Sequence, residues 1–554
     1  MLLNTASAGQ QARAMRIAIV EDNANARTNL RSHLMAIDHF DIASYSNGKE
    51  LRNGLRLGNF DLILMDFHLG QSKTGVEWIL QLQENGLYKP NTGLVFITSD
   101  GMPQTIGQIL DLHPDFILIK PYTIKSLRAN LAHYLNLRKE IMPVLNYMAQ
   151  KNNYMALNLI TEKLNRTVNK RFKNDFLKLR GRLLLAEKQY TEAVSLYSDV
   201  LKKSSNVLWA HWGLIKSEFF TGKWVQCQRM LNHLIAESLT KDKAYEWMAS
   251  VAVGKEEYRE AEALLDNIKE SELSIQATRL KVLCLSKQGK EELAQRLLEK
   301  KVQSNLSIKD RMSDYALELA RFHIQLAESM KLSNTGEESI KEKEDKKESL
   351  LTARKLITKA GRNANDRQSD LQKDYLLALA FLIEGEKEKA KNLVSQSSPI
   401  ESLSNAKVST LVDAVKIWFG IGERERASEL LSECDDLMMK QESHIDKIIC
   451  GDIISEIEET NNLQKERALQ MNDKGMHLYQ NQEYFDAVAC FHKAYSMFPG
   501  VPAFALNLLQ CMADMEQFEY RSLDADKLYE ELNSISLSSK NQIRLDHIKI
   551  KLGF

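Results

Sequence analysis

Polar side chains that could do chemistry stand at the ends of apolar runs in the first quarter of this sequence. Asp66 follows four consecutive apolar residues, 62–65. A run of this kind is typical of a buried parallel strand, and open α/β sheets place their functional crevice at the carboxyl ends of such strands. Other apolar runs end on chemically related residues, namely Glu21 with Asp22, Thr98, and Lys120 with Pro121. Each residue alone has a structural explanation, such as a helix cap, but their recurrence at successive strand ends predicts one functional crevice.

These residue types together are suited to phosphoryl transfer. Carboxylates that converge in one crevice repel each other unless a hard cation lies among them, and Mg²⁺ binds through one or two carboxylates plus phosphate oxygens. A carboxylate such as that of Asp66 can also act as a nucleophile and form an aspartyl phosphate. A lysine and a hydroxyl, here Lys120 and Thr98, would stabilise the charge that develops on the phosphoryl group. The Lys-Pro sequence predicts a cis peptide bond that fixes the direction of the lysine.

The segment that must position these residues, 15–138, alternates strand-like and helix-like patterns. The predicted strands are 17–20, 41–45, 62–65, 94–97 and 116–119, and the fifth predicted helix covers 126–137. Five such βα units imply a parallel sheet covered by helices on both faces, in the flavodoxin-like order. A dinucleotide-binding fold is disfavoured because no Gly-x-Gly-x-x-Gly pattern follows the first strand.

With these motifs, residues 15–138 resemble the receiver domain of two-component response regulators. The family's pattern is an acidic pair after the first strand, a phospho-accepting aspartate after the third, Thr or Ser after the fourth, and Lys-Pro after the fifth. The resemblance implies that Asp66 accepts phosphate from a histidine kinase. It also implies the supporting roles: Mg²⁺ ligands Glu21, Asp22, Asp66 and the backbone carbonyl of His68, with Thr98 and Lys120 on the phosphoryl oxygens.

Three positions depart from the family pattern. The first acid is Glu21, where Asp is commoner. The loop after Asp66 has Gly70 in place of the usual Pro and one extra residue before Gly75. Ile117 stands where the family usually has an aromatic residue that swings toward the Thr. We expect phosphorylation to survive all three changes, whereas the route by which the phosphate is signalled stays open.

Beyond residue 138 the pattern becomes helical and repeats with a period of 34 residues. Tyr190, Trp224 and Tyr258 are spaced by 34, and so are Ala193, Cys227 and Ala261. Each aromatic residue lies between two predicted amphipathic helices, and a small residue at a helix crossing suits close packing of paired helices. The cleanest unit contains Gly475, Tyr479, Tyr484, Ala487, Phe491, Ala494 and Pro499. This part resembles a tetratricopeptide-repeat array, an all-α solenoid of helical hairpins, with the better match over 175–300 and 470–515.

The patterns together predict a two-part organisation. We expect a flexible leader over 1–14, the receiver over 15–138 and helical repeats over 139–335. A charged insertion or linker is predicted over 336–349, because 337–348 is almost wholly charged. Further repeats with C-terminal capping helices are predicted over 350–554.

Composition excludes several classes of protein. The 554 residues contain 74 Lys and Arg and 74 Asp and Glu, and this zero net charge argues against broad binding to nucleic acid or anionic membranes. The six cysteines are scattered without a Cys-x-x-Cys pair, which is typical of core residues in a reducing compartment. No apolar run is long enough to span a membrane, and residues 1–14 lack the apolar core of a signal peptide. We therefore expect a cytoplasmic location.

The favoured functional hypothesis is a phosphorylation-gated adaptor. A cognate histidine kinase would load Asp66, and the repeats would bind another signalling protein, such as a second regulator, with neither nucleic acid nor a membrane as partner. The alternatives are a transcriptional regulator with a diverged DNA-binding region and a phosphate sink for a shared kinase. An enzymatic output is not expected, because the sequence shows no second catalytic constellation. The direction of the phosphate effect and the oligomeric state stay open.

Overall fold

The computed structural model describes residues 14–70, 73–166, 170–332, 340–361, 367–397, 408–440, 444–460, 464–497, 501–521 and 523–553. The chain divides into two compact units. The first comprises Met1–Glu218 with Asn232–Asp242, and the second comprises Phe219–Leu231 with Lys243–Phe554.

The first unit begins with a five-stranded sheet. Its strands are β1 (Arg16–Val20), β2 (Asp41–Tyr45), β3 (Leu62–Asp66), β4 (Gly93–Thr98) and β5 (Phe116–Ile119). All neighbouring pairs are parallel, in the order β2-β1-β3-β4-β5. This confirms the predicted flavodoxin-like sheet, because the buried apolar runs form the strands and the longer connections between them are helical.

Helices cover both faces of this sheet. They are α1 (Ala24–Met35), α2 (Gly48–Leu57), α3 (Gly75–Glu84), α4 (Pro103–Asp111) and α5 (Ile124–Ala149). Successive residues of a strand point to opposite faces, so Ile17 and Ile19 join the core that contains α1 and α5 residues. Ala18 and Val20 join the opposite core, with residues of α2 and α3.

Helix α5 is longer than the sequence analysis predicts. The predicted end at residue 137 is wrong, since the helix continues to Ala149 with Pro143 inside it. Its apolar stripe also continues, because Ile141, Val144 and Leu145 enter the core of the first repeat helices. Arg138, which is buried, donates hydrogen bonds to the Asn91 carbonyl at 2.9 Å and to Asp115 at 3.2 Å. Residues 138 and 139, where the sequence analysis divides the chain, therefore lie inside one continuous helix.

The described part of the chain beyond α5 is almost entirely helical. Its helices are α6 (Asn153–Asn165), α7 (Lys173–Ala186), α8 (Tyr190–Lys203), α9 (Leu208–Phe220), α10 (Trp224–Ile235), α11 (Lys241–Gly254), α12 (Tyr258–Leu265), α13 (Ile275–Ser286), α14 (Glu291–Ser304), α15 (Lys309–Leu332), α16 (Ile340–Gly361), α17 (Arg367–Ile383), α18 (Lys387–Ser397), α19 (Val408–Ile421), α20 (Arg424–Lys440), α21 (His444–Thr460), α22 (Gln464–Gln480), α23 (Tyr484–Met497), α24 (Pro502–Asp514), α25 (Ala525–Asn533) and α26 (Ser539–Leu552), with short 3₁₀ helices at Lys170–Phe172 and Glu270–Glu272. The predicted helical repeats are therefore confirmed.

The repeat positions have equivalent structural roles. Tyr190, Trp224 and Tyr258 each begin the second helix of a hairpin. The small residues three positions later are all fully buried, and they are Ala193, Cys227 and Ala261, joined by Ala294. Such residues let two helices approach closely.

Glycine serves the same close packing elsewhere in the repeats. A Cβ added to Gly475 of α22 would lie 2.7 Å from the ring of Phe491 of α23.

Gly422, between α19 and α20, has a φ of +106°, which residues with a side chain rarely adopt. Pro499, the last residue of the predicted unit, lies outside the described residues.

The C-terminal region contains one feature that the helical pattern does not predict. Between α24 and α25, β6 (Glu519–Tyr520) and β7 (Leu523–Asp524) form a two-stranded antiparallel ribbon with Tyr520 buried. Its strands are too short to give a detectable alternation in sequence. The predicted capping helix over 543–551 is part of α26.

Part of the predicted leader and linker falls outside the structure's description. Residues 1–13 and 333–339 are not among the described residues, whereas 340–349 lie in α16. Within the described ranges, no helix is both long enough and apolar enough to cross a membrane.

Candidate functional site

The parallel strands bring the predicted acidic residues together at one edge of the sheet. Glu21 and Asp22 follow β1 and Asp66 ends β3, and β1 and β3 are neighbours. Oxygen atoms of these three carboxylates all lie within 4.8 Å of one another. Glu21 and Asp66 are buried, while Asp22 is exposed. The sequence prediction of converging carboxylates is therefore met by the geometry.

Lys120 places a cation among these carboxylates. Its Nζ donates hydrogen bonds to Asp66 Oδ2 and to Glu21 Oε2, both at 2.7 Å. Lys120 follows β5, and its backbone N–H donates to the Thr98 carbonyl at 2.8 Å. The Lys120–Pro121 peptide bond is cis, as the sequence predicts. The amine thus reaches across the sheet edge to the carboxylates that follow β1 and end β3.

Burial and the neighbouring charges shift the pKa values of Glu21 and Lys120. Burial raises the pKa of Glu21, and the neighbouring Asp66 carboxylate raises it further, against the opposing effect of Lys120. Burial alone would lower the pKa of Lys120, but its hydrogen bonds to Asp66 and Glu21 leave that pKa raised. The amine is therefore a permanent cation near neutral pH.

The same cluster fits a divalent metal. The cluster contains three carboxylates and one ammonium group, which binds two of them. Its negative charges outnumber its positive ones, so a further cation would be stabilised there. Carboxylate oxygens are the ligands that hard divalent cations such as Mg²⁺ and Ca²⁺ bind. The donor set of Glu21, Asp22 and Asp66 is consequently one that could hold such an ion.

The loop after β3 is shaped by glycine. Gly70 has a φ of +64°, and a Cβ there would lie 3.0 Å from Asp22 Oδ2. Proline, which is fixed near −65°, cannot adopt this conformation, so the departure from the family pattern has a conformational reason. A Cβ at Gly75 would lie 2.2 Å from the Asp66 carbonyl oxygen, so only glycine allows α3 to begin there. Before both glycines, His68 donates its backbone N–H to Asp66 Oδ1 at 3.3 Å.

Thr98 lies at the same sheet edge but its hydroxyl is bonded within the loop that follows β4. The side chain is fully buried, and Oγ1 accepts a hydrogen bond from the Asp100 backbone N–H at 3.0 Å. Its own donation to the Asp100 carbonyl is long, at 3.5 Å. The hydroxyl proton of Thr98 is thus only weakly bound.

Asp100, which the sequence pattern does not predict as part of the site, organises the loop between β4 and α4. Asp100 accepts hydrogen bonds from Thr105 Oγ1 at 2.6 Å and from the Met102 N–H at 2.8 Å. His68 Nε2 lies 3.3 Å from the same carboxylate. The Thr105 hydroxyl, then the Met102 N–H, lower the pKa of Asp100. The signal available in the sequence was an aspartate two residues before the N-cap of a helix, from where its side chain can form an Asx turn with the N–H two residues on.

Ile117 occupies the β5 position at which the receiver pattern has an aromatic ring. Its side chain is partly buried and packs against the core formed with α2 and α3. Isoleucine has no aromatic ring, so this position cannot supply the aromatic switch of the receiver pattern. The structure places its aliphatic side chain inward against this core.

Residues 17–132 match the family model described as the response regulator receiver domain. The N-terminal part of the chain is therefore a response regulator receiver domain, a phospho-accepting signalling domain. The described residues beyond α5 are mostly helical and carry the hairpin repeats described above.

Solved structures resemble parts of the chain. Chemotaxis protein CheY4 of Vibrio cholerae has 18% identity and a TM-score of 0.20, covering 22% of this chain and 98% of its own. A response regulator of Burkholderia pseudomallei has 19% identity and a TM-score of 0.20, covering 28% of this chain and 99% of its own. The APC/C Cut9–Hcn1 assembly has 12% identity and a TM-score of 0.22, covering 71% of this chain and 92% of its own. The search of curated protein sequences found no match.

Proposed function

We propose that this protein is a two-component response regulator in which a histidine kinase phosphorylates Asp66. The observation that supports this most strongly is the 2.7 Å hydrogen bond from Lys120 Nζ to Asp66 Oδ2, within the cluster of three carboxylates. It ties the Lys120 amine to the proposed nucleophile and sets a cation where phosphoryl charge would arrive.

The proposed transfer is a single displacement at phosphorus. A carboxylate oxygen of Asp66 forms a bond to phosphorus while the bond from phosphorus to the kinase's phosphohistidine nitrogen breaks, and its electron pair leaves with the imidazole. Lys120 Nζ and the Thr98 hydroxyl would donate hydrogen bonds to the phosphoryl oxygens. Glu21, Asp22, Asp66 and the His68 backbone carbonyl would hold Mg²⁺, which when bound neutralises phosphoryl charge.

The proposed output is protein binding by the helical repeats. Stacked helical hairpins present extended surfaces that suit protein partners, and the partner we propose is another signalling protein. One stretch of the repeats carries an excess of positive charge, which bears on the chemistry of the partner. Residues 150–204 contain 12 Lys and Arg but only five Asp and Glu, although the whole chain is neutral. An acidic partner surface would complement this excess.

The first experiment is to incubate the protein with acetyl phosphate and Mg²⁺ and to weigh it by intact mass spectrometry beside Asp66→Asn. We expect one phosphate on the unaltered chain and none on the variant. Acetate replaces the imidazole as leaving group, so the test does not require the kinase to be known. Phosphate on neither protein, or equally on both, would contradict the proposal.

Two alternatives predict different results. A transcriptional regulator would bind DNA, and the basic stretch over 150–204 is the observation that favours it. Such binding would weaken steeply as salt rises, so DNA-binding measurements on the full chain at two salt concentrations test it. A phosphate sink would keep its phenotype when the repeats are deleted, provided that the deletion retains all of α5.

A further inference from the structure

A chain of hydrogen bonds leads from the candidate site into helix α4. The Asp100 N–H donates to the Thr98 hydroxyl oxygen at 3.0 Å, and the Asp100 carboxylate accepts from the Thr105 hydroxyl at 2.6 Å. Thr105 is buried in the first turn of α4. The position of α4 is therefore tied to the arrangement of the Thr98 side chain.

Two residues beyond Thr105, the backbone of α4 touches a segment of the helical repeats. A Cβ built on Gly107 would lie 2.8 Å from the carbonyl oxygen of Leu239, which is closer than real Cβ contacts. The obstacle is a backbone atom, which cannot rotate away as the end of a side chain can. Glycine at 107 is therefore the residue that permits this contact between α4 and residue 239.

The segment that carries Leu239 is well anchored. Thr240 is buried and its hydroxyl donates to the Leu234 carbonyl at 2.6 Å. The backbone N–H groups of Thr240 and Lys241 donate to the Glu237 carbonyl at 3.1 and 3.0 Å. Residues 232–242 belong to the same compact unit as the receiver. A shift of α4 would consequently displace this segment as a whole.

We propose that α4 and residues 232–242 form the interface through which the phosphorylation state of Asp66 reaches the helical repeats. This inference rests on the proposed function. A phosphoryl oxygen is a stronger acceptor for the Thr98 hydroxyl than the Asp100 carbonyl at 3.5 Å. When Thr98 turns to it, Asp100, Thr105 and α4 follow, and the contact of Gly107 with Leu239 changes. Ile117 needs no part in this route.

Hydrogen exchange followed by mass spectrometry tests the interface on the full chain. The protein is compared with and without acetyl phosphate and Mg²⁺, after intact mass has verified loading. We expect exchange of the Thr240 and Lys241 amides to change on loading. In Gly107→Ala we expect equal loading and loss of that change. Gly101→Ala is the matched control, because a Cβ at Gly101 meets nothing within 4 Å, and it should behave as the unaltered chain does.

A second variant covers the case in which Gly107→Ala does not fold. Thr105→Val removes the hydroxyl that binds Asp100 without adding bulk to the α4 backbone, and it should abolish the same exchange difference. Normal loading with no exchange change at 232–242, or with a change that persists in Gly107→Ala and Thr105→Val, would overturn the interface and leave phosphorylation standing. Failure of the unaltered chain to load would overturn the proposed function and this inference with it.

Discussion

Arg279 in α13 donates a hydrogen bond at 2.8 Å to Asp446 in α21, 167 residues further along the chain. Arg279 also pairs with Glu318 of α15 at 3.4 Å, and Arg321 of α15 pairs with Asp413 of α19 at 2.7 Å. Within the second unit, buried and largely buried ion pairs therefore join helices from hairpins that are distant in sequence.

Removing Arg279 should destabilise the second unit. In Arg279→Met, the largely buried carboxylates of Glu318 and Asp446 lose this counter-charge, and breaking such a pair costs about 3 kcal/mol. Arg296→Met is the control, because Arg296 and Glu292 form an exposed pair whose loss should cost under about 1 kcal/mol. Urea unfolding followed by circular dichroism measures both. Equal midpoints for the two variants would contradict the structural role of the buried pair.

Two glycines in neighbouring helices should respond oppositely to alanine. In Gly475→Ala the new Cβ would lie 2.7 Å from Phe491, so we expect a loss of about 1–3 kcal/mol from overpacking. In Gly451→Ala, inside α21, the Cβ meets nothing within 4 Å, and the helix preference of alanine should stabilise by up to about 1 kcal/mol. Thermal unfolding measures the pair. A lower melting temperature for Gly451→Ala than for Gly475→Ala would refute this account of the helix crossing.

Asp22→Asn should raise the Mg²⁺ concentration that half-maximal phosphorylation by acetyl phosphate requires. One of three candidate ligand carboxylates loses its charge, and a tenfold change corresponds to about 1.4 kcal/mol of metal binding. The phosphorylated fraction is read by intact mass over a Mg²⁺ series. Asp199→Asn, an exposed residue of α8, is the control. An unchanged Mg²⁺ requirement in Asp22→Asn would argue against Asp22 as a ligand.

The stability of the second unit should fall as the pH drops below neutral, with His492 as one cause. Burial, together with the nearby Arg521 cation, lowers the pKa of His492 to about 3. Because a histidine in the unfolded chain titrates near ~6.5, the unfolded state binds the extra proton below that pH and the folded state does not.

The expected loss is about 1 kcal/mol for each pH unit between ~6.5 and ~3, discounted because the side chain is only partly buried. Urea unfolding of the unaltered chain and of His492→Gln over this pH range isolates the contribution. The variant should show a shallower dependence, and parallel curves for the two proteins would rule out His492 as a cause.

The residues of the acidic site could be predicted because each follows a recognisable strand. Asp66 and Lys120 are 54 positions apart, yet parallel strands must end at the same edge of the sheet, so their meeting required only the order of the strands. The roles of Asp100 and Thr105 could not be predicted in this way. Their hydrogen bond depends on the path of one loop, and polar residues in loops have no periodicity to reveal it.

The helical hairpins could also be predicted from the sequence, because small residues that are buried, Ala193, Cys227 and Ala261, recur every 34 residues. The length of α5 was misjudged because its apolar stripe passes from the core of the sheet to the core of the repeats.

By itself, therefore, the sequence determined the local elements, their periodicity and the chemistry at the strand ends, since these depend on residue type and short-range spacing. Only the tertiary structure decided which distant elements touch, as in the contact of Gly107 with Leu239 and the pairing of Arg279 with Asp446. The physical reason is that such contacts come from the packing of whole helices, whose relative positions no local pattern encodes.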